Sequence, residues 1–181
     1  MGKRSLLHFG GSHLHIIEEA IDFAQEVVTD YFKMSTSEWK GYRYEVKTQK
    51  FLDDIEITDR AFAQICKYEC IKGKNSSPPL SFDLYRICLQ DKNILRTAHN
   101  PLNKVKLKPL LLYIITHELS HVIRFSKYYK DFFAPPLEKE SEEAKVHSIT
   151  YEMLRSKGDQ SLDYVLDYYR LHRWNDKYFA L

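Results

Sequence analysis

Cysteine is scarce in this chain of 181 residues: there are three, Cys66, Cys70 and Cys88. An odd and sparse set builds no disulfide framework, so the sequence reads as a protein of a reducing compartment, expected in the cytoplasm. Glycine and proline number only six each while aromatics reach 14%. That composition can bury enough apolar surface to offset ordering entropy, which argues against global disorder. An excess of one charge is also lacking, because 27 Lys and Arg face 25 Asp and Glu, a net charge of +2. A strongly electrostatic nucleic-acid binder is therefore not expected. The longest apolar run, residues 110–115, is closed by Thr116 and His117, far short of the ~20 residues that span a bilayer. No membrane partner is expected. The apolar stretch near the N-terminus, residues 5–9, is too brief for a signal-peptide core. No internal repeat or low-complexity tract is present.

What remains is one domain of α+β type, a small mixed sheet packed against several helices. It divides into an N-terminal helix and strand part (1–75), a central part (80–155) and a C-terminal helix and tail (160–181). Ile16, Ile17, Ala20, Ile21, Ala24, Val27, Val28 and Tyr31 recur at three- and four-residue spacing and predict a helix over 13–33. Alternation at 42–47 predicts a strand. Thr58 or Asp59 caps an expected second helix through Ile71, with Phe62, Ile65 and Cys66 inward; Cys66 and Cys70 would then share a face. Residues 72–79 read as a surface loop and a nick site. Residues 80–89 predict a strand that turns at Gln90-Asp91-Lys92-Asn93 into a hairpin partner at 94–96. Lys104, Lys106 and Lys108 alternate with Val105 and Leu107 as in a protected edge strand. Pro109 suits the first turn of a buried helix reaching Ile123. A further helix is expected from Leu137 to Arg155, opening on Glu138, Glu140, Glu142 and Glu143, and a last one over 161–172.

The buried helix carries His117-Glu118-Leu119-Ser120-His121. On a helix the two imidazoles lie one turn apart, ~5–6 Å between β-carbons, and both can reach one cation at about 2.0–2.1 Å. Glu118, one residue along, is placed to hydrogen-bond a water at that cation, as a general base must. Two histidines and a glutamate on an apolar helix are costly to bury without a partner, and a metal is the simplest one. A catalytic zinc site takes three protein ligands. The third is offered by Glu143 or by His147, spaced i, i+4 and so on one helix face. If Glu143 ligates, His147 can hold that ligand or an oxyanion; if His147 ligates, Glu143 orients it. Tyr151, one turn further, is a second candidate oxyanion donor. Glu140 and Glu142 read as solvated acids, and Arg124 as a partner for Glu143 or Asp131, as a site for a substrate carboxyl group, or as a solvated arginine. His8, His13 and His15 read as an exposed group.

HELSHVIRF followed by SEEAKVH resembles the zincin metallopeptidases, specifically the gluzincin type with two histidines and a downstream glutamate, and the size is similar to that of the single-domain minigluzincins. The resemblance covers about residues 80–155. It implies a zincin-like fold and a zinc-dependent hydrolase acting on peptides or proteins, with zinc on His117, His121 and Glu143 and with Glu118 as base. It also implies an edge strand, residues 84–89, that pairs an extended substrate. Two features depart from the family: His147 stands where members commonly carry a carboxylate, and Arg124 and Lys127 stand where the longer metzincin signature requires Gly and His. A zincin-like regulatory or scaffold module with a structural zinc site is the alternative reading. The aromatic C-terminal stretch, 164–181, is expected to pack on the core or to lie across the cleft as a self-inhibiting segment.

Overall fold

The computed structural model describes residues 7–72 and 80–172, so all but the first residue of the loop expected at 72–79, and the tail from 173 onward, lie outside the described residues. In chain order the elements are α1 (Gly11–Tyr31), α2 (Thr36–Trp39), β1 (Tyr44–Thr48), two short 3-10 turns (Gln49–Phe51 and Asp54–Glu56), β2 (Ala63–Lys72), β3 (Leu80–Leu89), α3 (Asp91–Ala98), α4 (Leu107–Lys127), α5 (Pro136–Arg155) and α6 (Gln160–His172). No helix among the described residues is long and apolar enough to cross a membrane.

The strands form a mixed sheet in the order β1-β3-β2. β1 runs parallel to β3, with Tyr44 opposite Tyr85 and Glu45 opposite Arg86; β2 runs antiparallel to it, with Ile65 opposite Ile87 and Cys66 opposite Arg86. Strand alternation then sorts β3 into two faces. Tyr85, Ile87 and Leu89 are buried toward the helices, where Tyr85 stacks on Phe125 of α4 at 5.9 Å between ring centroids. Arg86 and Cys88 take the opposite face.

α4 is the centre of the molecule. Sixteen of its 21 residues are buried, so it is enclosed on nearly every side, by α1, α5, α6 and the sheet. α5 turns one face inward, where Val146, His147, Ile149, Thr150, Met153 and Leu154 are all buried, and the partly buried Glu143 lies one turn before His147 on that face. α6 adds Leu162, Val165, Leu166 and Tyr169 to the same core.

Several expectations are corrected. Residues 63–72 form a strand rather than part of a helix, because alternate residues face opposite sides of the sheet. Ile65 packs inward, whereas Cys66 faces away from α4. Phe62 is buried as expected, from the bend before the strand. Residues 91–98 form α3, and the hairpin partner of β3 is β2. The polar residues expected to turn the chain into a hairpin are instead a buried hub at the start of α3. Gln90 accepts from the Thr58 amide (3.0 Å) and donates to the carbonyls of Glu56 (2.8 Å) and Cys88 (3.1 Å). Asp91 accepts from the amides of Phe9 (3.0 Å) and Gln49 (2.9 Å), and Asn93 donates to Ala61 (2.6 Å). Lys104–Lys108 is no edge strand: Lys108 lies in the first turn of α4 and pairs with Glu19 of α1 at 2.7 Å. Residues 84–89 are no edge either, since β3 is bonded on both sides and the sheet's outer strands are β1 and β2.

The hub gives a direct prediction. Asp91→Ala leaves two partly buried amide donors without their acceptor, at roughly 1–3 kcal/mol for such a group. Urea unfolding should report a loss of about 2 kcal/mol, and a loss under ~0.5 kcal/mol would mean that the aspartate is not the tie between the N-terminal segment and the sheet.

Candidate metal centre

His117 and His121 sit one turn apart on α4, as their spacing requires, and are 2% and 0% exposed. Their rings meet edge-on, 4.8 Å between centroids, with the two Nε2 atoms 3.2 Å apart. The inward stripe of α5 brings Glu143 onto this pair. Its Oε1 is 2.9 Å from His117 Nε2 and its Oε2 is 3.0 Å from His121 Nε2. The three residues are thus linked pairwise at 2.9–3.2 Å, one carboxylate oxygen of Glu143 facing each imidazole. Tetrahedral ligands at about 2.0–2.1 Å from one ion would stand about 3.3 Å apart. The donor set fits a divalent cation: two imidazole nitrogens and a carboxylate, with one ligand atom of each residue within 4.8 Å of the other two. His117, His121 and Glu143 are one of two groups of possible metal ligands among the described residues.

The electrostatics match that chemistry. Burial lowers the pKa of His117 and outweighs the attraction of Glu143, which favours the neutral, ligating imidazole. Burial would raise Glu143, but the neighbouring His117 and His121 overcome it and hold the carboxyl well below its usual range. Glu118 is pushed well above the usual range, first by burial and then by the charge of Glu143. Its Oε2 and the Nδ1 of His121 have no hydrogen-bond partner among the described residues.

The two sequence candidates on α5 thus take different positions. Glu143 reaches both histidines, while His147 stands behind it with Nε2 3.0 Å from Glu143 Oε1 and Nδ1 2.7 Å from the hydroxyl of Tyr113. Both ring nitrogens of His147 are engaged, an arrangement that orients a carboxylate ligand. Tyr113 was not singled out by the motif. It lies four residues before His117, and that i, i−4 spacing on one helix face is the signal that could have found it. Tyr151 borders a cavity of about 200 Å³ with Tyr113, His147 and Tyr169, its ring beneath the Arg170 guanidinium at 5.9 Å. Arg124 pairs with neither Glu143 nor Asp131. It grips Glu142 through Nε and through Nη2 (2.9 Å), so Glu142 is a paired, largely buried acid rather than a solvated one.

A groove of about 300 Å³ opens beside the triad, lined by Gln64 and Ile65 of β2, Phe125, Phe132 and Glu142 among others. Phe125 connects it to the site, since its ring stacks on His121 at 5.7 Å. Phe133, by contrast, is largely exposed. Of the N-terminal histidines, His13 accepts from the Gly10 amide, His15 lies 3.2 Å from Glu19, and His8 lies 3.7 Å from Asp91. Tyr169 of α6 stacks on Tyr113 at 5.5 Å, so this part of the C-terminal stretch is core. No protein-family model, curated protein or solved structure matches this chain.

Proposed function

We propose that this chain is a zinc-dependent hydrolase of the zincin type, a small metallopeptidase that cleaves peptide bonds. The observation that carries the reading is the buried triangle of His117 Nε2, His121 Nε2 and the Glu143 carboxylate, with the partnerless Glu118 oxygen on the same helix. Zinc held by these three residues would supply Lewis acidity and lower the pKa of water at the site toward ~7. Glu118 takes the proton of the attacking water, which its buried, proton-hungry carboxyl favours, and returns it to the leaving amine. His147 keeps the Glu143 carboxylate aimed at the two histidines and is itself held by Tyr113. The substrate lies in the groove beside Phe125, its backbone along the outer edge of β2, beyond which no further strand lies among the described residues, so that an extended chain can pair there.

Metal analysis of the purified protein tests this reading. Wild type and His147→Ala are expected to hold zinc at the histidine site, the latter more weakly, whereas His117→Ala and Glu143→Ala lose it. Zinc retained in Glu143→Ala and lost in His147→Ala would overturn the ligand set. A chain that binds no metal at this site would overturn the hydrolase reading.

A further inference from the structure

The outer face of the sheet carries a second cluster that the proposed reaction does not use. Cys66 and Cys88 come together there, Sγ to Sγ 3.9 Å, and with Glu56 they form the other group of possible metal ligands, all within 4.8 Å of one another. Cys88 and Glu56 are fully buried, while Cys66 is half-buried. We infer that Cys66, Cys88 and Glu56 form a second metal site, for a thiophilic divalent cation of the zinc class.

Geometry favours an ion over a disulfide. Gln64 stands opposite Cys88 and Cys66 opposite Arg86, so the two cysteines are diagonal neighbours, with α-carbons about 7–8 Å apart in a regular ladder. That is beyond the usual disulfide reach of about 4.4–6.8 Å, and bridging them directly would require the backbone to move. Two metal–sulfur bonds of about 2.3 Å at a tetrahedral angle span about 3.8 Å, which the observed separation already provides.

Charge and lone pairs are compatible as well. Arg86 bonds both Glu45 (2.6 Å) and Glu56 (2.7 Å), and Lys47 lies 3.7 Å from Glu45, so two cations face two carboxylates. Two thiolates and one divalent ion sum to zero, so loading leaves that balance unchanged. Glu56 Oε1 accepts from Arg86 and from the Tyr68 hydroxyl, whereas among the described residues Oε2 accepts only from the Asp53 amide. Each carboxylate oxygen accepts two bonds, which leaves one acceptor position on Oε2. The half-buried side at Cys66 gives water access to a fourth position. An ion there would tie the Asp54–Glu56 turn to β2 and β3.

Cadmium is the probe, because thiolate ligation produces an ultraviolet charge-transfer band that imidazole and carboxylate ligation do not. The full chain, reduced and free of metal, is titrated with Cd²⁺ in wild type and in a His117→Ala/His121→Ala background that removes the other centre. The thiolate band should develop in both, saturate at one ion per chain in the histidine-free background, vanish in Cys66→Ser, and persist in Cys70→Ser. Cys66→Ser changes only a half-buried side chain, and its circular dichroism checks the fold. Absence of the band in the reduced wild type overturns the site, as does its persistence in Cys66→Ser or its loss in Cys70→Ser.

Discussion

Glu118→Gln is expected to lower the peptidase rate by about 10³-fold, within the ~10²–10⁴ range that a positioned general base contributes, while the protein keeps both its fold and its metal. The variant preserves shape and volume on a helix whose surroundings admit little change, and Glu118 Oε2 makes no bond that the amide would break. Glu118 is also not one of the three converging donor atoms, so metal content should remain that of wild type. A peptide-library digest compared with metal analysis reads both quantities. Cleavage by wild type and its near loss in Glu118→Gln at unchanged metal content separates a base from a ligand. If both proteins are silent toward peptides while both hold the metal, the centre is structural, and the reading of the chain as a regulatory or scaffold module takes the place of the enzyme. Equal rates in the two proteins would remove Glu118 from the chemistry.

The part of this centre that was legible in the sequence is the part that depends on local spacing. His117 and His121 lie four apart on a helix whose apolar run is unbroken, and Glu143 and His147 repeat that interval on another, so each pair's shared face follows from 3.6 residues per turn. Choosing between Glu143 and His147 is a different kind of question. It depends on how α4 and α5 cross, and only the packed structure shows Glu143 reaching both imidazoles with His147 behind it. The strand β2 departs from the helix that its sequence predicts for a related reason. Phe62, Ile65 and Cys66 match a helical interval, but pairing with β3 across ten residues overrides local preference and sends Cys66 to the opposite face from Ile65. At Gln90, Asp91 and Asn93 the sequence predicts a turn and the structure has a helix start, because side chains that favour turns are equally suited to satisfy buried backbone groups. Local pattern shows that a residue is polar; only tertiary structure shows what it bonds.

Glu56 is the clearest residue of that second kind, and its removal should produce the largest loss of stability. It is fully buried, 30 positions from Arg86, and the two meet only because the Asp54–Glu56 turn folds over β3. Truncating one member of a buried ion pair leaves the other charge inside without its match, at about 3–5 kcal/mol. Glu45 still faces Arg86 and moderates the effect, so Glu56→Ala is expected to cost about 3 kcal/mol, and at roughly 3 °C per kcal/mol for a chain of this size Tm falls by about 9 °C. Replacing both partners, Glu56→Leu with Arg86→Met, should recover most of that loss, because no buried charge is then unpaired. The pH dependence has a definite sign. Burial alone would raise the Glu56 carboxyl, but hydrogen bonds from Tyr68, the Asp53 amide and Arg86 overcome it and hold its pKa below the usual value. Between the folded pKa and the unfolded value of about 4.3 the unfolded chain binds a proton that the native protein does not, so stability rises with pH across that window. The contribution is complete above the unfolded value and disappears as the pH falls through the folded one. Acid unfolding of Glu56→Ala should therefore lack this step, and the stability gap between wild type and variant should narrow at the acid end. A variant that stays about 3 kcal/mol weaker at every pH would show that Glu56 contributes by packing rather than by charge.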